Sequence, residues 1–292
     1  MRVPVNDTQL YFDVEGPGLV PDGTTMRERP VLLALHGGPG FDHTIFKPTL
    51  SALADAVQVV YLDLRGQGRS GRPAVESCTL EQMADDVAAF CRAVGLDRPI
   101  VLGHSAGGFV ALNLAVRHPD VVGRLILVDT AAATADMGDA MSTLERRHGP
   151  EARAAAERMF GGDFSPAVLD DFMRLVAPAY VRDPAKLPAL AEAIARSNFN
   201  TEVAGYYFRE RAPFYDLHAR LGEIAVPTLV VVGDYDWLTP PSASRLIASA
   251  IPRAELVVIP DAGHFAYSEQ PELFARAVRR FVAAAPAGVG GI

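Results

Sequence analysis

The residues with the clearest chemical potential form the stretch Gly103-His104-Ser105-Ala106-Gly107, which fits the pattern G-x-S-x-G. The apolar run "PIVLG" (99–103) precedes it, and the helical pattern "GGFVALNLAVRHP" follows it. A strand that turns at once into a helix strains the backbone at the serine and holds its hydroxyl clear of the main chain. Side chains at the two flanking glycine positions would collide with the neighbouring strand and helix. The pattern therefore predicts Ser105 as a nucleophile.

A serine nucleophile needs a base that takes its proton and a group that orients the base. His264 follows the last apolar run, in "VVIPDAGHF". Because the ends of parallel strands converge at one edge of a sheet, we expect His264 to reach Ser105 and act as the base. The histidines interpreted as ordinary loop residues are His118, His148 and His218.

Three aspartates are candidates for the orienting acid. Asp234 and Asp236 end the run "VVVGDYDWLTP", and Asp129 ends the run "LILVDT". We favour Asp236 because it lies further into the loop, whereas Asp234 beside Gly233 is typical of turn chemistry. Asp129 is the best alternative.

The elements that must position these side chains form an alternating pattern. Short apolar runs cover 31–35, 57–64, 99–103, 124–129, 227–234 and 254–261. Continuous apolar runs are typical of parallel strands that are buried on both faces, and helical patterns lie between them. The alternation predicts an α/β fold with a mostly parallel central sheet and helices on both faces. Residues 3–16 alternate as an edge hairpin would.

One interval interrupts the alternation. Residues 132 to 220 contain no good strand run and are cut by several prolines, so we predict short helices inserted before the last core strands. The predicted division is a first part of the core (1–131), a helical cap (132–220) and a second part of the core (221–292). The final "PAGVGGI" (286–292) is expected to be frayed.

Composition excludes several classes of function. The 292 residues carry a net charge of −8 and no run of Lys or Arg, which argues against nucleic-acid and membrane-surface partners. We do not expect the first residues to form a signal peptide, and we expect the two cysteines, Cys78 and Cys91, to be free thiols rather than a bridge or a metal site. We expect a cytoplasmic monomer or homodimer with a small-molecule substrate, no cofactor and no metal.

The loop "HGGPG" (36–40) follows the first buried run and raises the question of a phosphate site. It lacks the Gly-Lys-Ser/Thr ending of a P-loop and the spacing of a dinucleotide fingerprint. Its N–H groups are better suited to a transient oxyanion formed next to Ser105.

Together, "HGGPG", "DLRGQGRS" (63–70), "GHSAGG", "GDYDWLTP" and "DAGH" resemble the α/β-hydrolase fold over nearly the whole chain, in the order of that family. The first two most resemble the proline iminopeptidase-like branch. The resemblance implies a triad of Ser105, Asp236 and His264 beneath a helical cap. It also implies an oxyanion hole made by the N–H groups of Gly38 and Ala106.

Two positions depart from that branch. Ala106 stands where a bulky aromatic residue is common, and Trp237 stands where a glutamate often follows the triad acid. Glu202 or Glu210 would then have to supply the cap carboxylate that binds an amino terminus. Cap aromatics are expected to line a pocket. The tentative substrate-binding residues are Trp237, Glu202, Tyr206 and Tyr207, and the wider aromatic set adds Phe199, Phe208, Phe214 and Tyr215.

These features predict a cofactor-free serine hydrolase that cleaves an ester, lactone or amide of a small molecule through an acyl-enzyme. Alternatives are a carboxylesterase or lactonase without peptidase activity, a carbon–carbon hydrolase or perhydrolase on the same triad, and a non-enzymatic receptor. Ser105 at the nucleophile position disfavours the branches that use an aspartate nucleophile.

Overall fold

The computed structural model describes residues 1–284, so the expectation for 286–292 lies outside the described residues. Its strands, in chain order, are β1 (Arg2–Val5), β2 (Thr8–Glu15), β3 (Leu19–Asp22), β4 (Thr25–Glu28), β5 (Val31–Leu35), β6 (Gln58–Leu62), β7 (Ile100–His104), β8 (Arg124–Val128), β9 (Thr228–Gly233) and β10 (Ala254–Ile259). The six apolar runs of the sequence correspond to β5 to β10.

Eight of these strands form one sheet in the order β1-β2-β6-β5-β7-β8-β9-β10. The pairs β1/β2 and β2/β6 are antiparallel, and all later neighbours in the sheet are parallel. β3 and β4 form a separate antiparallel hairpin. The predicted edge hairpin and the predicted mostly parallel sheet are therefore both confirmed.

The helices are α1 (Leu80–Val94), α2 (Ala106–Arg117), α3 (Ala140–His148), α4 (Pro150–Phe160), α5 (Pro166–Asp171), α6 (Leu187–Arg196), α7 (Thr201–Tyr206), α8 (Pro241–Ala250), α9 (Ala266–Glu269) and α10 (Pro271–Ala283). Short 3₁₀ turns lie at His43–Phe46, Thr49–Leu53, Val75–Ser77, Thr134–Met137, Ala177–Tyr180, Pro184–Lys186, Ala212–Phe214 and His218–Glu223. Within the described range, none of the helices combines the length and the apolar character needed to cross a membrane.

Alternate residues of the central strands point to opposite faces of the sheet, as the two-residue period of a strand requires. Leu33 and Leu35 of β5 join a core with α1, α2 and α8, whereas Leu32 and Ala34 join a core with α9 and α10. Each fully buried Leu or Val contributes about 1.5–3 kcal/mol relative to exposure. Packing on both faces explains why these strands are continuously apolar in sequence.

The segment between β8 and β9 is helical and contains α3 to α7. Two of its helices widen into π turns, Phe172–Val176 and Tyr207–Arg211, directly before the dipeptides Ala177-Pro178 and Ala212-Pro213. A proline lacks the N–H that would continue the α-helical ladder, so the turn before it can open. We call this segment the cap, and its exact boundaries as a separate domain stay a prediction.

Helix α1 begins at a side-chain cap. Thr79 Oγ1 accepts a hydrogen bond from the Gln82 N–H (3.1 Å), and Gly95 ends the helix in the left-handed conformation. Thr79 and Gln82 have the spacing of a capping box, but only one of its two bonds is made, because the Gln82 side chain donates to Asp86 instead of the backbone of Thr79. The same helix carries Cys91, which is buried and free like Cys78.

Candidate active site

The turn between β7 and α2 places Ser105 at the carboxyl edge of the sheet. Ser105 has φ 52° and ψ −121°, a strained conformation for a residue with a side chain. A Cβ on Gly103 would clash with the backbone of Gly107, and a Cβ on Gly107 would clash with the Leu35 carbonyl. The small residues of the motif are therefore required by the close approach of strand and helix.

His264 lies directly beside this serine. Its Nε2 is 2.9 Å from Ser105 Oγ, and its Nδ1 is 2.9 Å from Asp236 Oδ2. All three side chains are buried. With Nδ1–H donating to the carboxylate, Nε2 is free to accept the serine proton. The structure thus brings together the three residues predicted as the triad.

Asp236 is held by its own loop. Its Oδ1 accepts the backbone N–H groups of Leu238 (2.9 Å) and Thr239 (3.1 Å). The Thr239 hydroxyl donates to Asp236 Oδ2 (2.7 Å), beside the contact with His264. Thr239 was not singled out from the sequence, although the spacing Asp-x-x-Thr resembles a local side-chain cap.

Asp129, the alternative acid, has a different role in the structure. Its Oδ1 accepts the Gly233 N–H (2.9 Å) and its Oδ2 accepts the Ala266 N–H (3.0 Å). It therefore joins the end of β9 to the segment after His264 without bonding to the imidazole. Burial, with the nearby carboxylate of Asp236, raises the pKa of Asp129.

The electrostatics around His264 favour its charged form. Burial alone would lower the pKa of His264, but the charge and hydrogen bond of Asp236 outweigh this effect. Asp129 and Glu269 act in the same direction, so the pKa of His264 lies above its ordinary value. An imidazolium formed when the serine gives up its proton would be stabilised here.

The loop 36–40 passes beside Ser105 after β5 ends. Gly38 and Gly40 have φ of +123° and +111°, a region that favours glycine. Gln67 accepts the Gly40 N–H (2.6 Å), so the loop "DLRGQGRS" braces it. Gly38 lines the same cavity as Ser105.

The amides of Gly38 and Ala106 have no hydrogen-bond acceptor among residues 1–284. Ala106 is the first residue of α2, where an unpaired N–H and the helix dipole both favour negative charge. This arrangement is compatible with the predicted oxyanion hole, and the assignment stays a prediction.

A cavity of about 710 Å³ lies above the triad. Its floor is formed by Gly38, Ser105, Thr239 and His264, and its roof by the cap residues Met159, Phe160, Phe164, Phe172 and Phe208, among others. Within the described chain, no Asp, Glu, Lys or Arg lines it. A largely preformed apolar cavity with few polar groups is typical of a small-molecule site.

The proposed substrate residues are only partly found there. Tyr207 lines the cavity, whereas Tyr206 is directed to the surface, where its hydroxyl donates to the Glu76 carbonyl (3.3 Å). Glu202 is exposed and absent from the cavity wall. Trp237 is also absent from it, because its ring is buried against Tyr180 at a centroid distance of 5.5 Å.

These placements correct the expectation of substrate contact for Trp237, Glu202 and Tyr206. In the wider aromatic set, Phe199 and Phe208 line the cavity and Phe214 and Tyr215 do not. Glu210 is exposed and likewise outside the lining. No cap carboxylate of the described chain is therefore in place to bind an amino terminus.

Asp42, His43 and Asp63 are close enough to offer a metal ion three ligand atoms. Their atoms are already engaged: Asp63 Oδ1 accepts from His43 Nδ1 (2.6 Å), and Asp42 Oδ2 accepts the Asn198 N–H (2.8 Å). The cluster joins the loops beside the site to the cap. Arg65, in the neighbouring loop 63–70, is buried and donates to Asp86 (2.6 Å) in an ion pair that holds this loop to α1.

Sequence reasoning also missed residues behind the imidazole. The His104 Nε2–H donates to the His264 carbonyl (2.9 Å), and burial lowers the pKa of His104 to about 3, so it is neutral. The Tyr180 carbonyl accepts the His264 N–H (2.9 Å), and the Glu269 carboxylate accepts the N–H of Gly263 (2.7 Å). Only His104, inside the nucleophile motif, gave a sequence signal.

Comparison with known proteins identifies the class. Residues 30–271 match the model of the alpha/beta hydrolase fold family, so the chain belongs to that family. The predicted fold and the resemblance to proline iminopeptidase-like proteins are both confirmed. The chain is 30% identical over 284 residues to the proline iminopeptidase PfmaB of Pestalotiopsis fici, with 95% of this chain and 97% of that protein covered.

Solved structures extend the comparison to other hydrolases. A thermophilic esterase from Thermogutta terrifontis has 30% identity and a TM-score of 0.68, covering 97% of this chain and 98% of the esterase. Est816, an N-acyl homoserine lactone degrading enzyme, has 27% identity and a TM-score of 0.72, covering 96% of this chain and 100% of Est816. The relatives thus support hydrolytic activity and differ in the bond they are named for.

Proposed function

We propose that the protein is a cofactor-free serine hydrolase that cleaves an ester or lactone with an apolar acyl group through an acyl-enzyme. One observation carries this proposal: Ser105 and His264, with Asp236 bonded behind the imidazole, lie at the floor of a cavity whose described lining contains no Asp, Glu, Lys or Arg side chain. Esterase and lactonase neighbours agree with it.

In the proposed reaction, Ser105 Oγ attacks the substrate carbonyl while His264 Nε2 accepts the hydroxyl proton. Asp236 holds the ring and stabilises the imidazolium, and the amides of Gly38 and Ala106 bind the tetrahedral oxyanion. The carbon–oxygen bond to the leaving alcohol then breaks, and His264 returns the proton to that alcohol. Water, deprotonated by His264, attacks the acyl-enzyme and releases the acid.

The cavity also bears on the choice of bond. A free amino terminus would enter an apolar wall without a described partner carboxylate, and a buried unpaired charge is costly. An acyl chain or ring instead gains about 25 cal/mol for each Å² of apolar surface it buries. The cavity therefore supports an uncharged acyl group larger than acetyl better than an N-terminal proline amide.

The experiment combines a labelling reaction with a substrate panel. A fluorophosphonate probe should label the wild type and not Ser105→Ala. In the panel, p-nitrophenyl octanoate and N-octanoyl homoserine lactone should give higher kcat/KM values than p-nitrophenyl acetate. Proline p-nitroanilide should give the lowest value. Absence of labelling would contradict the serine mechanism. Preferential cleavage of the proline amide would instead identify a peptidase.

A further inference from the structure

The loop that carries His264 is attached to the core on one side. His104 Nε2–H donates to the His264 carbonyl (2.9 Å), and the Ala266 N–H donates to Asp129 Oδ2 (3.0 Å). Both partners belong to strand ends of the sheet, at β7 and β8. These two bonds hold the backbone at and after His264 to rigid elements.

The other side of the same loop is attached to the cap. The His264 N–H donates to the Tyr180 carbonyl (2.9 Å). Glu269 lies between the two segments: its Oε1 accepts the Gly263 N–H (2.7 Å), and its Oε2 accepts the Arg182 N–H (2.6 Å). Glu269 is 3% exposed, so its bond to Gly263 is buried, and its bond to Arg182 is partly buried.

The close packing of these segments makes the attachment rigid. A Cβ on Gly263 would clash with the Tyr180 carbonyl, so the cap backbone approaches as closely as a glycine permits. The Tyr180 ring packs edge-on against the His264 ring, with centroids 5.4 Å apart, and it lines the cavity. A shift of cap residues 180–182 would therefore move the imidazole relative to Ser105.

We infer that Glu269 is a positioning residue for this reaction: its buried carboxylate fastens the backbone beside His264 to the cap segment 180–182 and so sets the distance from His264 Nε2 to Ser105 Oγ. The inference rests on the proposed serine hydrolase function. Glu269 does not touch the reacting atoms, and it differs from Asp236, which bonds to the ring itself. Its location makes the reactivity of the triad conditional on a correctly seated cap.

Two conservative variants separate the two properties of this carboxylate. Glu269→Asp keeps the charge but is one methylene too short to reach both N–H groups. Glu269→Gln keeps the length but loses the charge and presents an NH₂ group to one of the two donors. Both should lower kcat by about 10- to 100-fold, the loss expected from a misplacement on the order of 1 Å, with KM changed by less than about three-fold.

The pH profile provides a readout that a purely structural role would not change. The charged or titratable groups facing His264 are Asp236, Asp129, Glu269, His104 and Tyr180. Because a carboxylate at 269 favours the imidazolium, Glu269→Gln should move the acid limb of kcat/KM to lower pH. Glu269→Asp should leave that limb in place.

The measurement is made on the full chain with esters from the panel, and rates are divided by the folded fraction from circular dichroism. Glu272→Gln, an exposed change three residues further on, is the matched control and should behave as wild type. Glu269→Asp keeps a carboxylate in the buried position and so covers the case in which the glutamine variant fails to fold.

Two failures are distinguishable. If the wild type is not labelled by the fluorophosphonate probe, the serine hydrolase function itself is wrong. If the wild type is labelled but the position 269 variants react at the wild-type rate per folded molecule, with an unchanged acid limb, only the positioning role is wrong.

Discussion

The floor and the roof of the cavity are built on different principles. At the floor and directly behind it, each functional side chain follows a strand and is held by directed hydrogen bonds, as Asp236 is by the N–H groups of Leu238 and Thr239. At the roof, phenylalanine and methionine side chains from short helices contact one another without such bonds. The rings of Phe160 and Phe208, for example, have their centroids 5.1 Å apart. Directed bonds specify a geometry, whereas apolar contacts specify only a volume and a polarity. We therefore propose that the floor determines the reaction and that the roof determines the substrate.

The strongest test of this contrast replaces the two buried carboxylates behind the floor, Asp236 and Asp129, one at a time by amides. Asp236→Asn should lower kcat by about four orders of magnitude, because an amide no longer holds the imidazole in the required tautomer or stabilises its charge. Asp129→Asn should cost far less, since Asp129 bonds only to backbone N–H groups. Steady-state kinetics on p-nitrophenyl octanoate measure both. The opposite order would make Asp129 the triad acid.

A second test places a charge in the roof. Phe164→Glu should lower kcat/KM for octanoyl esters by roughly 100-fold, since a carboxylate buried against an acyl chain costs several kcal/mol. Fluorophosphonate labelling of Ser105 should change little, because the floor is untouched. The matched control is Phe214→Glu, which alters a cap phenylalanine that is 81% exposed and outside the cavity lining. A loss of labelling in Phe164→Glu, and not in the control, would show that the two regions are not independent.

The floor was largely predictable from sequence because its residues occupy positions that strand ends determine. Ser105, Asp236 and His264 each follow a continuous apolar run, and parallel strands bring such positions to one edge. The ambiguity between Asp129 and Asp236 has the same origin, since Asp129 follows β8 and Asp236 follows β9, its neighbour in the sheet. Only the loop beyond β9, with its turn at Thr239, decides which carboxylate reaches the imidazole.

The roof was not predictable to the same degree. Its helices are short and are interrupted by prolines. The π turns at 172–176 and 207–211 also break the 3.6-residue period that would otherwise predict which side chains face the cavity. Tyr206 and Tyr207 illustrate the problem, since adjacent residues face the surface and the cavity respectively. Trp237 packs in a buried apolar cluster, and no local sequence pattern distinguishes such a residue from one that contacts substrate.

The pH dependence of kcat/KM should be set by groups at and behind the floor, and not by the roof. In the proposed mechanism His264 acts as a base only when neutral, and its pKa lies above the ordinary value because Asp236, with Asp129 and Glu269, outweighs the effect of burial. Activity should therefore fall on acidification through a pKa higher than that of an ordinary histidine, by about ten-fold for each pH unit below it. A kcat/KM profile on an uncharged ester measures this limb. A limb below the ordinary histidine range would mean that burial dominates.

The smallest effects should come from near-isosteric changes, and they should still differ between the two regions. Thr239→Val deletes one hydroxyl that donates to Asp236, and the loss of a hydrogen bond to a charged group predicts a roughly ten-fold lower kcat. Met159→Leu conserves apolar volume in the roof and should leave kcat within about two-fold and the unfolding free energy within about 1.5 kcal/mol. Urea unfolding and octanoyl ester kinetics on both variants give the comparison. If Met159→Leu lowers kcat as much as Thr239→Val does, the roof also holds the substrate in one defined geometry, and the contrast between floor and roof is wrong.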